Sequence, residues 1–98
     1  MSNESWAYNL KFTAKANAQL ERLAHDLNPN ELDRLRDALE QLQRNPFPTA
    51  PLTPGTIKRI RHFWRYKISY SYRLAYEVEG QTVIVFKVGH RKDFYRDL

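Results

Sequence analysis

The chain has 98 residues and a formal net charge of +5, and 42% of its residues are hydrophobic. This composition predicts one domain, residues 1–98, with a core large enough to fold without covalent cross-links. The absence of cysteine excludes disulfides and a thiol nucleophile and agrees with a reducing cytoplasm. Neither a signal peptide nor a run of apolar residues long enough to span a membrane is present, so we expect a cytoplasmic protein without membrane contact.

The positive charge lies in the second part of the chain. Residues 1–56 hold six basic and seven acidic side chains, whereas residues 57–98 hold ten basic and four acidic ones. Nine of the aromatic residues also lie in the second part. Cations neutralise phosphates and aromatic rings stack on bases, so this half favours a nucleic-acid partner. The alternative is a solvated basic face beside an aromatic core.

The N-terminal part begins with a predicted strand over residues 6–12, where ring and small or polar side chains alternate. Thr13 is predicted to cap the helix that follows, whose apolar residues recur at helical spacing. Asn28 and Pro29 end this helix. The short link to the next helical segment predicts an antiparallel helical hairpin.

A second helix is predicted to start with Asn30 as its N-cap and to end at Asn45-Pro46. Its apolar stripe consists of leucines at spacings of three and four: Leu32, Leu35, Leu39 and Leu42. The proline-rich segment that follows cannot be a helix or a central strand, and it is predicted to be a stiff connecting loop.

After Gly55 the apolar period changes to two, which predicts strands at residues 57–60, 63–68, 72–78 and 82–88. The last of these is nearly all apolar and is expected to be the central strand. Residues 91–98 are expected to form a short helix or tail.

These elements predict an α+β fold: an N-terminal strand, a helical hairpin and an antiparallel meander sheet with both helices on one face. The other face would carry Arg65, Lys67 and Arg73, with the C-terminal cations near its end. Glu77 lies on the same predicted strand as Arg73, and we expect it to form an ion pair with one of these cations.

Several chemistries are excluded. The chain has only three glycines and no phosphate-cradling loop, and its histidines lack metal-ligand spacing, so neither a metal nor a cofactor is expected. What remains is a set of arginines, lysines, phenols and one imidazole near the C-terminus. Such side chains can cleave RNA, because the ribose 2′-hydroxyl supplies the nucleophile and the protein needs only proton carriers and cations for the phosphorane.

The segment YRLAYEVEGQTVIVFKVGHRKDFY resembles the C-terminal half of RelE-type toxins of the RelE/ParE toxin–antitoxin superfamily. The family pattern is a basic strand, a YR-x-x-Y strand, a turn, an apolar strand and V-G-H-R-x-x-x-Y. Here it matches Tyr72-Arg73 with Tyr76, and Gly89-His90-Arg91 with Tyr95. The upstream order of elements agrees with that family as well. A longer turn, residues 69–71, replaces the usual glycine-containing one.

The resemblance implies a ribosome-dependent messenger-RNA endoribonuclease that acts in the ribosomal A site, needs no metal and is inhibited by a cognate antitoxin in a hetero-oligomer. It implies that Arg73 holds the scissile phosphate and Arg91 stabilises the transition state. Tyr95 would stack on a base or assist proton transfer, and Lys67 is a candidate base. The residues expected to contact messenger RNA or 16S ribosomal RNA are Arg65, Lys92, His90 and Arg61.

Two alternatives stay open. The chain could resemble ParE relatives that poison DNA gyrase without nuclease chemistry, or it could be an inactive nucleic-acid-binding relative. His90 is more often a structural imidazole than a catalytic one. The nuclease hypothesis requires the guanidinium groups of Arg73 and Arg91 to meet in a single open pocket.

Overall fold

The computed structural model describes residues 6–96, which form eight elements. In chain order these are β1 (Asn9–Phe12), α1 (Ala14–Ala24), α2 (Pro29–Arg44), β2 (Ile57–Ile60), β3 (Phe63–Lys67), β4 (Tyr72–Glu79), β5 (Thr82–His90) and α3 (Arg91–Phe94). The first strand is shorter than predicted. The five strands form one sheet in the order β1-β5-β4-β3-β2.

Side-chain caps fix the start of both long helices. The Thr13 hydroxyl accepts a hydrogen bond from the Ala16 amide at 3.1 Å and caps α1, as predicted. The predicted cap of α2 was wrong by two positions, because Asn28 and not Asn30 is its N-cap. Asn28 accepts from the Glu31 amide at 2.8 Å, the Glu31 carboxylate accepts from the Asn28 amide, and Pro29 fills the first helical position.

The sheet is mixed. Strands β2 to β5 form the predicted antiparallel meander, and β1 adds to β5 in parallel. Strand β4 occupies the middle of the sheet and β5 lies beside it. The prediction that β5 is the central strand was therefore wrong, although β5 is an interior strand. Strand β5 carries a bulge where Ala75 pairs with Lys87 but Tyr76 pairs with Val85, which leaves Phe86 as the extra residue.

The main core lies between the sheet and the two long helices. Leu35, Ala38 and Leu42 of α2 pack in the same cluster as Leu74 and Tyr76 of β4. The buried Tyr76 hydroxyl donates to the Pro46 carbonyl at 2.6 Å, which fastens the start of the proline-rich loop to the sheet. The two-layer α+β fold predicted from the sequence is thus confirmed. Within residues 6–96, no helix combines the length and apolar character needed to cross a bilayer.

A second, smaller cluster lies on the opposite face of the sheet. Phe94 of α3 is fully buried there against Phe63 and Ala75, with Ile60 and Phe86 at its edge. The short helix α3 is therefore anchored across this face by one aromatic side chain.

Candidate functional site

An open cleft of about 580 Å³ lies at one end of the sheet, where Arg34 of α2 also reaches it. Its walls are the ends of β2, β3 and β4, the turn at residues 69–71, and residues 53–56 of the proline-rich loop. Among residues 6–96, its lining includes five cationic side chains and no acidic one: Arg34, Lys58, Arg65, Lys67 and Arg73. We refer to this feature as the basic cleft.

The register of the strands places positively charged residues directly opposite one another. Lys58 pairs with Arg65 across β2 and β3, and Lys67 pairs with Arg73 across β3 and β4. Directly opposite residues point to the same face of a sheet, and like charges in such pairs destabilise the sheet. The ion pair predicted for Glu77 would have offset this repulsion, but the salt bridges within residues 6–96 do not include Glu77. An anion bound in the cleft would relieve the repulsion.

Tyr95 lies at the edge of the cleft, next to the arginine of β3. The Arg65 guanidinium donates to the Tyr95 hydroxyl at 3.4 Å and also to the Gly55 carbonyl. Burial alone would raise the pKa of the Tyr95 phenol, but the hydrogen bond and charge of Arg65, followed by those of Arg73, lower this pKa below its ordinary value. The phenol is 43% exposed and can therefore reach a bound molecule.

Arg73 is only 8% exposed and supports the wall of the cleft. Its Nη1 donates to the carbonyls of Ser69 at 2.6 Å, Tyr70 at 3.1 Å and Tyr72 at 3.1 Å. The Ser69 hydroxyl accepts from the amides of Ser71 and Tyr72, each at 3.3 Å, which closes the turn. Arg73 thus holds the turn in shape while also contributing charge to the cleft.

Arg91 reaches the same turn from the other side. Its backbone amide donates to the Ser71 carbonyl at 2.6 Å, and its guanidinium lies 4.5 Å from the centroid of the Tyr70 ring. Its Nη2 also donates to the Tyr70 hydroxyl at 3.1 Å. Arg73 and Arg91 therefore both reach the Tyr70 turn, but their guanidinium groups do not meet in a single open pocket as the nuclease hypothesis required, because Arg91 lies outside the lining of the basic cleft and contacts it through Tyr70.

The other predicted contact residues lie away from this cleft. His90 is paired with Tyr72, its ring packs edge-on against that ring at 5.4 Å, and its Nδ1 accepts from the Lys92 amide to cap α3. Lys92 is exposed on α3, and Arg61 is exposed in the turn between β2 and β3. Arg61 has a left-handed backbone with φ of 55°.

Sequence reasoning missed four contributors to the cleft: Arg34, Lys58, Gly55 and Tyr70. The β2–β3 hairpin register places Lys58 opposite Arg65 and could have indicated it. Arg34 and the loop residues come into place only through tertiary packing, for which the sequence pattern has no signal.

A comparison with protein families matches residues 10–95 to the ParE toxin of type II toxin–antitoxin systems, parDE. The chain belongs to this family. The match covers both long helices, the meander and α3, and it confirms the membership of the RelE/ParE superfamily that the C-terminal motif indicated. The protein is accordingly a toxin of a toxin–antitoxin module. No curated protein sequence matches it.

Solved structures of toxins share the fold of this ParE-family chain. YafQ from Escherichia coli strain BL21(DE3) superposes with a TM-score of 0.71 at 10% identity, over 90% of this chain and 98% of YafQ. The RelB–RelE antitoxin–toxin complex from Methanococcus jannaschii gives 0.64 at 24% identity, with coverages of 88% and 95%. The toxin–antitoxin complex RelBE2 from Mycobacterium tuberculosis gives 0.60 at 26% identity, with coverages of 87% and 99%.

Proposed function

We propose that this toxin is a ribosome-dependent messenger-RNA endoribonuclease. The observation that carries the proposal is the basic cleft, where five cations and, in the described part of the chain, no acid surround an open volume next to a tyrosine of lowered pKa. Such a cleft favours an anionic polymer, and its cations are suited to stabilise the charge of a phosphorane. The resemblance of the C-terminal motif to RelE-type toxins supports the same activity.

The chemistry needs no group beyond those around the cleft. The Tyr95 phenolate, favoured by its lowered pKa, accepts the proton of the ribose 2′-hydroxyl. The 2′-oxygen then bonds to the adjacent phosphorus, and the bond from phosphorus to the 5′-oxygen breaks as Lys67, which the family resemblance suggested as the base, instead donates a proton to that oxygen. The products are a 2′,3′-cyclic phosphate and a 5′-hydroxyl end. Arg73 and Arg91 stabilise the phosphorane, and Arg91 gains access when the Tyr70 ring leaves its guanidinium and stacks on a base of the RNA.

The partners follow from this activity. Arg61 and Lys92 are exposed outside the cleft and are suited to contact 16S ribosomal RNA while messenger RNA occupies the A site. The structures of the relatives with RelB indicate a cognate antitoxin as the stable partner, and we expect it to be acidic and to cover the basic cleft. Acting on ribosomes places the toxin in the cytoplasm.

The family match to ParE toxins favours one other candidate, a gyrase poison without nuclease chemistry. The two functions make different demands on the cleft. RNA cleavage requires Tyr95 and the arginines as reacting partners, whereas gyrase binding requires only a complementary surface.

The deciding experiment is inducible expression followed by mapping of transcript 5′ ends. Cuts at fixed codon positions within translated frames, each with a 5′-hydroxyl, support the nuclease. Growth arrest with intact transcripts and induction of the DNA-damage response would refute it in favour of gyrase. Arg91→Ala is expected to abolish the cuts, whereas the matched control Arg22→Ala, on an exposed turn of α1, is expected to retain them.

A further inference from the structure

A second basic cleft, of about 250 Å³, lies on the other side of α3. Its polar lining comes from α1, β5 and the α3 region: Lys15, Gln19, Lys87, Asp93 and Arg96. The one acid, Asp93, is already paired with Arg96 at 3.3 Å. Three cations therefore face a single carboxylate, and the proposed activity gives this cleft no role.

Lys87 is the unusual member of this group. It is only 8% exposed, yet within residues 6–96 none of the salt bridges includes it. The only partner of its ammonium there is the Phe94 ring, whose centroid lies 5.7 Å from Nζ. The stem of Lys87 is thus mostly covered, while its ammonium has no ion-pair partner among residues 6–96, and an anion in the cleft would supply one.

The two clefts lie on one row of the sheet. Lys58 pairs with Arg65, Arg65 with Ala75, and Ala75 with Lys87, so these four residues point to the same face on consecutive strands. Arg65 and Lys87 are two strands apart, a backbone separation of about 10 Å. Phe94 of α3 packs on Ala75 between them, and the exposed ring of Tyr95 follows it.

We infer that the cleft of Lys87 binds a second phosphate of the same RNA strand, flanking the phosphate held in the basic cleft. This inference rests on the proposed nuclease function and extends its substrate site across α3. The arrangement of cationic clefts on either side of an exposed ring matches a single strand, whose phosphates meet cations while a base stacks on an aromatic side chain. An acidic segment of the antitoxin is the other occupant to be tested.

The test measures binding of single-stranded RNA in which every ribose carries a 2′-O-methyl group, so that binding is separated from cleavage. Lys87→Met keeps the aliphatic stem against Phe94 and removes the charge. Log affinity falls linearly with log salt concentration. Loss of one phosphate contact should make this fall shallower by about 0.7 and weaken binding at low salt. Lys11→Met, an exposed position on β1, is the control with the same loss of charge and should keep the slope.

A second variant tests the same cleft by adding to its net charge. Asp93→Asn removes the one acid that residues 6–96 contribute to this cleft and frees Arg96, so RNA affinity should rise and the salt slope should steepen. An unchanged slope in both Lys87→Met and Asp93→Asn overturns the inference. Weaker binding of an acidic antitoxin peptide by Lys87→Met, with RNA binding unchanged, also overturns it. Transcript cleavage by the unmodified toxin is measured separately, so a failed nuclease and a failed second subsite give different results.

Discussion

Replacing Arg73 by Met should destabilise the free toxin as well as inactivate it. The variant keeps the apolar stem but removes three hydrogen bonds to turn carbonyls, one of them to the buried Ser69 carbonyl at 2.6 Å. A buried hydrogen bond to a charged group contributes about 1.5–3 kcal/mol, and the two partly buried ones, which water can replace, add roughly 0.5 kcal/mol each. The free energy of unfolding should therefore fall by about 2.5–4 kcal/mol.

Urea denaturation followed by circular dichroism measures this loss, and the melting temperature should fall by roughly 10–32 °C. Lys67→Met is the matched control, because Lys67 lies directly opposite Arg73 but is exposed. Removing it relieves a like-charge pair, so its stability should be unchanged or slightly higher. If Arg73→Met unfolds at the same urea concentration as the parent toxin, the arginine does not support the turn and this reasoning is refuted.

Three further predictions address the phenols and a helix cap. Absorbance titration should show a tyrosine that ionises below the ordinary pKa; Tyr95→Phe should remove this component, and Arg65→Met should move it to higher pH. If the rate of RNA cleavage by the parent toxin does not depend on pH, Tyr95 is not the base. Tyr70→Phe should retain RNA affinity because the ring remains, whereas Tyr70→Ala should weaken binding by about 1–3 kcal/mol; equal affinities would exclude stacking. Asn28→Ala should lower the free energy of unfolding by about 1 kcal/mol in urea, and a neutral result would mean that the observed capping box contributes nothing.

Much of the fold could be predicted because local patterns and tertiary packing agree. The leucine stripe of α2 faces the core as its spacing required, and the alternating residues of β4 divide between the two faces of the sheet. The α2 cap was misplaced because two asparagines, Asn28 and Asn30, flank Pro29 and either can cap a helix. Only the reciprocal bond with Glu31 distinguishes them.

Less of the candidate site than of the fold could be predicted from the sequence. A strand pattern indicates that Arg65 and Lys67 share a face, but it does not show which loop covers them. The proline-rich loop reaches the cleft because Tyr76 fastens Pro46 and because the Phe47 ring packs against Trp64 at 5.5 Å. The dual position of Arg73, between turn carbonyls and cleft, likewise depends on a three-dimensional turn that no periodicity describes.

The bulge at Phe86 divides β5 into two segments that are out of phase. Before it, the odd-numbered Val83 and Val85 enter the main core; after it, the even-numbered Val88 does, and Lys87 points the other way. Designers who shorten the strand by removing Phe86 itself would leave every remaining side chain on its present side. Removing Ile84 or Val88 instead would move neighbouring side chains to the other face of the sheet.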